Sequence, residues 1–131
     1  MIDTITSVAK TLFTLGDAFK KAKREKRDRL ADLFFKISNC IADTSTELKQ
    51  DHVPHGKCAE MLAYADALED IIKDEVGPAK AKKLAKDLRD AHEVEALLSQ
   101  IHDKPDREEQ LAKLDQAAGI FLALSNITRA I

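Results

Sequence analysis

Two groups of residues in this sequence have types and spacings that chemistry could use, and the first resembles a metal site. His52, His55 and Cys58 form the pattern H-x-x-H-x-x-C on a loop that enters a helix. Imidazole and thiolate are the usual ligands of zinc, but a fourth ligand is missing locally. Cys40 lies about 15 Å back along the preceding helix and is expected at a different height from Cys58. We therefore expect a buried Cys58, two loop histidines that fix the turn, and no metal; zinc is the alternative.

The second group consists of carboxylates. Asp87, Asp90 and Glu93 recur at three-residue steps, and the preceding predicted helix carries Asp66, Glu69, Asp70 and Asp74. Carboxylates on two facing helices can hold Mg²⁺, as in helical pyrophosphatases. However, lysines alternate with the acids of the later helix, which is typical of a solvent-exposed face. Since no catalytic triad order, P-loop or glycine-rich phosphate motif occurs, we expect no enzyme and no cofactor.

The composition is that of a helical, folded domain. Apolar residues make up 44% of the 131 residues and charged residues 34%, with only 4 Gly and 3 Pro. Two cysteines imply no disulfide framework. No apolar stretch is long enough for a transmembrane helix, and the N-terminus lacks the features of a secretory signal. We predict a single cytoplasmic domain over 1–131, which could be cut from a longer protein because the apolar pattern continues to its end.

The apolar spacing predicts an all-α fold, an antiparallel four-helix bundle with an additional short N-terminal amphipathic helix. The helices are predicted at about 3–15, 17–50, 57–76, 79–101 and 106–131. Residues 51–56, DHVPHG, are the clearest loop, and Gly77–Pro78 is predicted to end one helix and start the next. Leu62 and Ile127 are predicted to lie on the inward stripes of their helices, whereas Phe35 lies off its stripe and should be exposed.

The N-terminal helix has an apolar face formed at three- and four-residue steps. Its members are Ile2, Ile5, Val8, Leu12, Phe13 and Leu15. Gly16 followed by Asp17 predicts a break, with the glycine ending one helix and the aspartate capping the next. One continuous helix is the alternative, because Phe19 keeps the apolar stripe in phase.

The most basic segment of the chain follows directly. Seven cations fall within ten residues although the net charge is −2: Lys20, Lys21, Lys23, Arg24, Lys26, Arg27 and Arg29. After an amphipathic helix, such a run favours binding to anionic lipids. The alternative is a solvated helix face on which Glu25 and Asp28 pair with the cations. Nucleic acid is not expected as a partner, because aromatic residues and a docking motif are missing.

The order of an apolar first helix, a long basic-to-amphipathic helix and further helices resembles the bacterial cell-death bundles called Bell domains. These are similar to the HeLo and HeLo-like domains and to the bundle of the mixed-lineage kinase-like necroptosis effector. The segment RLADLFFKISNCIADTSTELKQDHVPHGKCAEMLAYADALEDII, with its PHGKCAEM stretch, also resembles a helical module at the ends of bacterial signalling proteins.

This resemblance implies a membrane-targeting cell-death or immune effector that is inert until an upstream sensor or signalling domain oligomerises it. The N-terminal helix would be packed in the bundle at rest. On oligomerisation it would leave the bundle and insert its six apolar residues into the membrane, with Gly16 as the hinge. The anionic lipids would be bound by Lys20, Lys21, Lys23, Arg24, Lys26 and Arg27. The domain would move from the cytoplasm to the inner face of the membrane. The alternative is a helical adaptor domain for protein–protein interaction or oligomerisation in bacterial signalling.

Overall fold

The computed structural model describes residues 2–130, which form seven α-helices and no strand. The helices are α1 (Ile2–Thr14), α2 (Gly16–Lys20), α3 (Arg24–Lys49), α4 (His55–Val76), α5 (Pro78–Ala91), α6 (Val94–Ile101) and α7 (Arg107–Arg129). The all-α prediction is confirmed.

Five of these helices close a ring around one apolar core. α1 packs against α5 and α7, α7 against α3, α3 against α4, and α4 against α5. The finer prediction of a four-helix bundle with an additional helix is not confirmed, because α1 is a full member of the ring. Its apolar face fills the space between α5 and α7.

Hydrogen bonds fix the direction of the longest pair of helices. The Ser38 hydroxyl donates to the Ala118 carbonyl, and the Ser125 hydroxyl donates to the Ala31 carbonyl, both at 2.7 Å. Residue numbers therefore rise along α3 as they fall along α7, and the two helices are antiparallel. The two bonds are buried, so each satisfies a hydroxyl that would otherwise destabilise the core.

α1 runs in the same direction as α7. Asp3 forms an ion pair with Lys113 near the start of both helices, at 3.0 Å. Phe13 and Ile127 line one small cavity near the end of both helices. α1 is therefore antiparallel to α3, the next long helix, and the ring brings the first and the last of its five helices together in parallel.

The single helix predicted over 17–50 is wrong, because residues 21–23 separate α2 from α3. Lys23 has the extended values φ −62° and ψ 151°. The turn lets the five-residue α2 place Phe19 in the core, where it is only 1% exposed. Burying this ring favours the break over a continuous helix.

The helix predicted over 79–101 is also divided. Glu93 is extended, and its carboxylate accepts hydrogen bonds from the backbone N–H groups of Glu95 and Ala96, both at 3.2 Å. This N-cap starts α6, which packs on α7. The sequence does not reveal the cap, because Glu93 looks like one more acid on a charged face.

The break at Gly77–Pro78 is confirmed. Gly77 has φ +92°, and Pro78 is the first residue of α5. Phe35 is exposed as predicted. Leu62 and Ile127 were expected inward and are exposed instead, with Leu62 at 48%. Each helix of the ring packs mainly against two neighbours. An apolar stripe that is wider than this contact therefore leaves its outer residues, such as Leu62 and Ile127, exposed to solvent.

Candidate membrane-directed site

Most of the predicted membrane-inserting face is inside the protein. Ile2, Ile5, Val8 and Leu12 are buried in the core at 2% exposure or less. Phe13 is 45% exposed, and Leu15 is half-buried. In this structure the apolar face of α1 is therefore a core surface, and it could meet lipid only after leaving the ring.

Polar contacts hold only the first half of α1. The Ile2 N–H donates to Gln100 Oε1 at 3.0 Å, and the Thr6 hydroxyl lies 3.5 Å from the Lys113 carbonyl. Asp3 adds its ion pair with Lys113. Within residues 2–130, the second half of α1 makes no side-chain hydrogen bond or ion pair with another helix; Thr14 donates to Lys10 of α1 itself. That half is held by apolar packing.

The break between α1 and α2 lies at Leu15, the N-cap of α2, with φ −82° and ψ 4°. Gly16 is the first residue of α2, and Asp17 lies inside that helix, which corrects the predicted cap. An added Cβ at Gly16 would meet no atom within 4 Å, and Gly77 is the only described glycine with positive φ. The local geometry therefore does not require glycine at this position.

Two cations of the basic segment form ion pairs. Lys20 pairs with Asp17 at 3.4 Å, within α2. Lys26 lies 3.2 Å from Asp74 and 2.9 Å from Glu75, which ties the start of α3 to the end of α4. The hydrogen bond with Glu75 raises the pKa of Lys26. Lys26 therefore has a structural role in the bundle.

The other five cations have no ion-pair partner in the part of the chain that the structure describes: Lys21, Lys23, Arg24, Arg27 and Arg29. Glu25 and Asp28 are exposed and form no ion pair with them. The local pairs of the solvated-face alternative are thus not formed. Unpaired cations outnumber unpaired carboxylates where α2 joins α3, so this segment can attract an anionic surface.

The two cysteines are closer together than the sequence suggested. Cys40 Sγ donates to the Lys57 carbonyl at 3.2 Å, beside Cys58. The expectation of different heights is wrong, because the chain turns back after α3, where the His52 N–H donates to the Glu47 carbonyl at 2.8 Å. The first turn of α4 therefore lies beside Cys40, in the middle of α3, and not beside the last turn of α3.

Both thiols are buried, and neither forms a disulfide. Burial raises the pKa of Cys40 to about 12 and that of Cys58 to about 11. Both are thus protonated at neutral pH, and a thiol ligates metal only as the thiolate. His52 and His55 are exposed. Among residues 2–130, no three His, Cys, Asp or Glu side chains are grouped to hold a metal ion.

The carboxylates of α4 and α5 are matched by cations on the same surface. The pairs are Lys83–Asp87 at 3.0 Å, Lys86–Asp90 at 2.6 Å and Arg89–Asp66 at 2.6 Å. The first two lie within α5, and the third joins α5 to α4. These residues form the solvent-exposed charged face that the alternation of lysine and aspartate predicts.

A cavity of about 840 Å³ lies between the α3–α4 and α6–α7 loops. Asp51 and Asp103 border it, and both have left-handed backbone conformations, with φ 59° and 54°. Arg107 donates to the Leu48 carbonyl at 2.7 Å and to Asp51 at 3.2 Å, which ties the two loops together. The sequence predicts both loops but not their contact, because residue spacing gives no information about residues as distant in the chain as Asp51 and Arg107.

Within residues 2–130, none of the helices is both long and apolar enough to cross a bilayer. Comparison of the chain with protein-family models, curated proteins and solved structures finds no match. The Bell-type resemblance therefore stays a prediction.

Proposed function

We propose that this chain is a membrane-targeting cell-death or immune effector domain, whose first helix is held in the ring at rest and is released on oligomerisation. One observation carries the proposal. The buried apolar face of α1 leads through the short α2 into five cations that have no ion-pair partner among residues 2–130. A helix with one apolar face beside a basic segment is the combination that binds anionic bilayers.

The way in which α1 is held supports its release. Among the residues that the structure describes, its polar side-chain contacts to other helices involve only Ile2, Asp3 and Thr6. Its 13 residues span about 20 Å, which is shorter than a hydrocarbon core of about 30 Å. A released α1 would therefore lie in the interface, or act in an oligomer that thins the bilayer, rather than span it alone.

The proposal assigns no catalytic step and no cofactor to this domain. Its partners are anionic membrane lipids, further copies of the chain, and an upstream sensor or signalling domain. Its place of action is the inner face of the membrane, which it reaches from the cytoplasm. Gly16 and its neighbour Leu15 would form the hinge.

Dye leakage from anionic liposomes tests the release of α1. Because α1 is part of the core, a disulfide lock is a better variant than a deletion. Thr6→Cys with Lys113→Cys joins α1 to α7 where the Thr6 hydroxyl and Lys113 carbonyl are 3.5 Å apart. The chain, fused to a trimerisation domain, should cause leakage when the lock is reduced and none when it is oxidised. Equal leakage in both states, or none in either, would contradict the proposal.

A matched set of neutralised cations tests the basic segment. Lys21, Lys23 and Arg24 are changed to Gln in one variant. The control changes three exposed lysines that also have no described ion-pair partner: Lys36, Lys80 and Lys82. Only the first set should weaken binding to anionic vesicles. Equal loss in both variants would mean that the total charge, rather than this segment, directs binding.

The alternative is a helical adaptor domain, and the exposed apolar residues of α3 and α7 favour it. Phe35 is 45% exposed and Leu122 is 41% exposed, and neither is among the predicted membrane-inserting or lipid-binding residues. An adaptor would self-associate or bind a partner through such residues without any leakage. The liposome experiment therefore separates the two functions.

A further inference from the structure

The outward face of α7 carries a regular pattern of exposed residues. Five exposed positions recur at alternating steps of four and three residues: Asp115, Gly119, Leu122, Asn126 and Arg129. Residues at these steps lie in one line along the helix, which is the line that a second helix packed along α7 would contact. In addition, the stretch from Gln116 to Thr128 contains no charged residue, in a chain that is 34% charged.

The pattern is self-complementary about its centre. Leu122 is seven residues from Asp115 and seven from Arg129, so opposite charges lie about 10.5 Å away on either side. If α7 of a second copy lies antiparallel with a twofold axis at Leu122, Asp115 of each copy faces Arg129 of the other. The two leucines then meet on the axis, which is the condition for an isologous contact.

The surrounding ion pairs extend this complementarity. Lys49 lies 2.7 Å from Asp115, and Arg129 lies 2.7 Å from Asp32. Across the twofold axis, the Lys49–Asp115 pair of one copy meets the Asp32–Arg129 pair of the other. The four charges then alternate in sign at both ends. A partner that carries only one sign of charge would meet a like charge at each end, whereas a second copy meets an opposite charge at every position, so a second copy fits best.

Two further residues fit a close approach of helices at this face. Gly119 sits within α7, where glycine is destabilising relative to alanine, and an added Cβ would meet nothing within 4 Å. The fold of one copy therefore gives no reason for it, whereas a neighbouring helix can come closer over glycine. Phe35 lies on α3 between Ala31, which bonds Ser125, and Ser38, which bonds Ala118. Leu122 lies between those two residues on α7, so Phe35 is at about the same height as Leu122.

We propose that two copies of this chain pair through antiparallel α7 helices around Leu122, with Phe35 covering the side of the contact. This identifies a self-association surface for the proposed function, and it rests on that proposal only in treating further copies as partners. The surface consists of residues that no membrane contact needs, so the two ideas can fail separately.

Sedimentation velocity of the full chain without membranes, from micromolar to millimolar concentration, tests the pairing. The unaltered chain should form a dimer, and Leu122→Glu should raise the dimer dissociation constant at least about tenfold. The matched control is Leu62→Glu, which changes an equally exposed leucine on α4. A chain that is monomeric throughout, or equal effects of the two variants, would overturn the proposal.

Charge reversal tests the geometry. Asp115→Lys and Arg129→Asp should each weaken the dimer, and the double variant should restore it, because the twofold axis pairs these positions. A double variant weaker than both single variants would rule out the antiparallel pairing.

A cross-link gives a second readout if a charged variant fails to fold. Leu122→Cys should form an intermolecular disulfide under mild oxidation much faster than Leu62→Cys, since the native cysteines are buried. Equal rates for the two positions would count against an axis at Leu122. Leakage without dimerisation would refute this pairing alone, and dimerisation without leakage would refute the membrane function alone.

Discussion

The rings of Phe19 and Phe34 lie 5.9 Å apart with an interplanar angle of 55°, and this contact joins α2 to α3. Phe34 in turn lies 6.1 Å from Phe121 of α7. α2 connects α1 to the basic start of α3, so Phe19 fixes the point where the apolar helix gives way to the cations. The three rings hold this junction in the core.

Phe19→Ala should therefore lower the free energy of unfolding by about 3–5 kcal/mol, because it leaves a cavity under α2. Urea denaturation followed by circular dichroism measures this change. Phe13→Ala is the matched control, since Phe13 is 45% exposed and its truncation should cost much less. Similar losses for both variants would show that Phe19 does not anchor α2.

Stability should fall as the pH is lowered from about 6.5 to 4, because of His92. Its ring is buried, Nδ1 lies 3.2 Å from the Leu88 carbonyl, and no described residue bonds to Nε2. Burial lowers the pKa of His92 to about 4. In this range the unfolded chain binds a proton that the folded chain does not, so the free energy of unfolding falls by roughly 3 kcal/mol.

Urea titrations of the unaltered chain and of His92→Gln over this pH range isolate the effect. The loss should be smaller in His92→Gln. Carboxylates act on both curves alike, such as Asp90, whose pKa is lowered by its hydrogen bond with Lys86. Parallel curves would show that His92 is not the cause.

Both thiols should be inert in the folded protein. Cys40 and Cys58 are buried and protonated at neutral pH, and the thiolate is the reactive form. A colorimetric disulfide reagent should react with them only at the rate of unfolding, whereas a cysteine introduced at the exposed Leu62 should react at once. Rapid labelling of the native cysteines would contradict their burial.

Two glycine-to-alanine substitutions should differ in their effect on the free energy of unfolding. Gly77→Ala places a side chain at φ +92° and should destabilise the fold by about 1–3 kcal/mol. Gly16→Ala meets no atom within 4 Å and should be neutral or stabilise by up to about 1 kcal/mol. Thermal unfolding of both variants measures the difference. A strongly destabilised Gly16→Ala would show that the α1–α2 junction needs a glycine conformation other than the one observed.

Local features of the fold were predictable from the sequence. The break at Gly77–Pro78 and the exposure of Phe35 follow from glycine, proline and helical periodicity. The breaks at Lys23 and Glu93 were not predictable, because each depends on a distant partner. Lys23 turns so that Phe19 reaches the core, and Glu93 caps a helix that packs on α7.

The candidate site divides in the same way. The apolar face of α1 and the basic segment are evident from residue types alone, because helical periodicity is a local property. Only the tertiary structure decided that α5 and α7 cover that face and that Lys26 is paired with α4. It also decided that five neighbouring cations have no ion-pair partner in the described part of the chain. Periodicity shows which side of a helix avoids water, but the neighbour that covers it and the charges that meet across it depend on the packing of the whole chain.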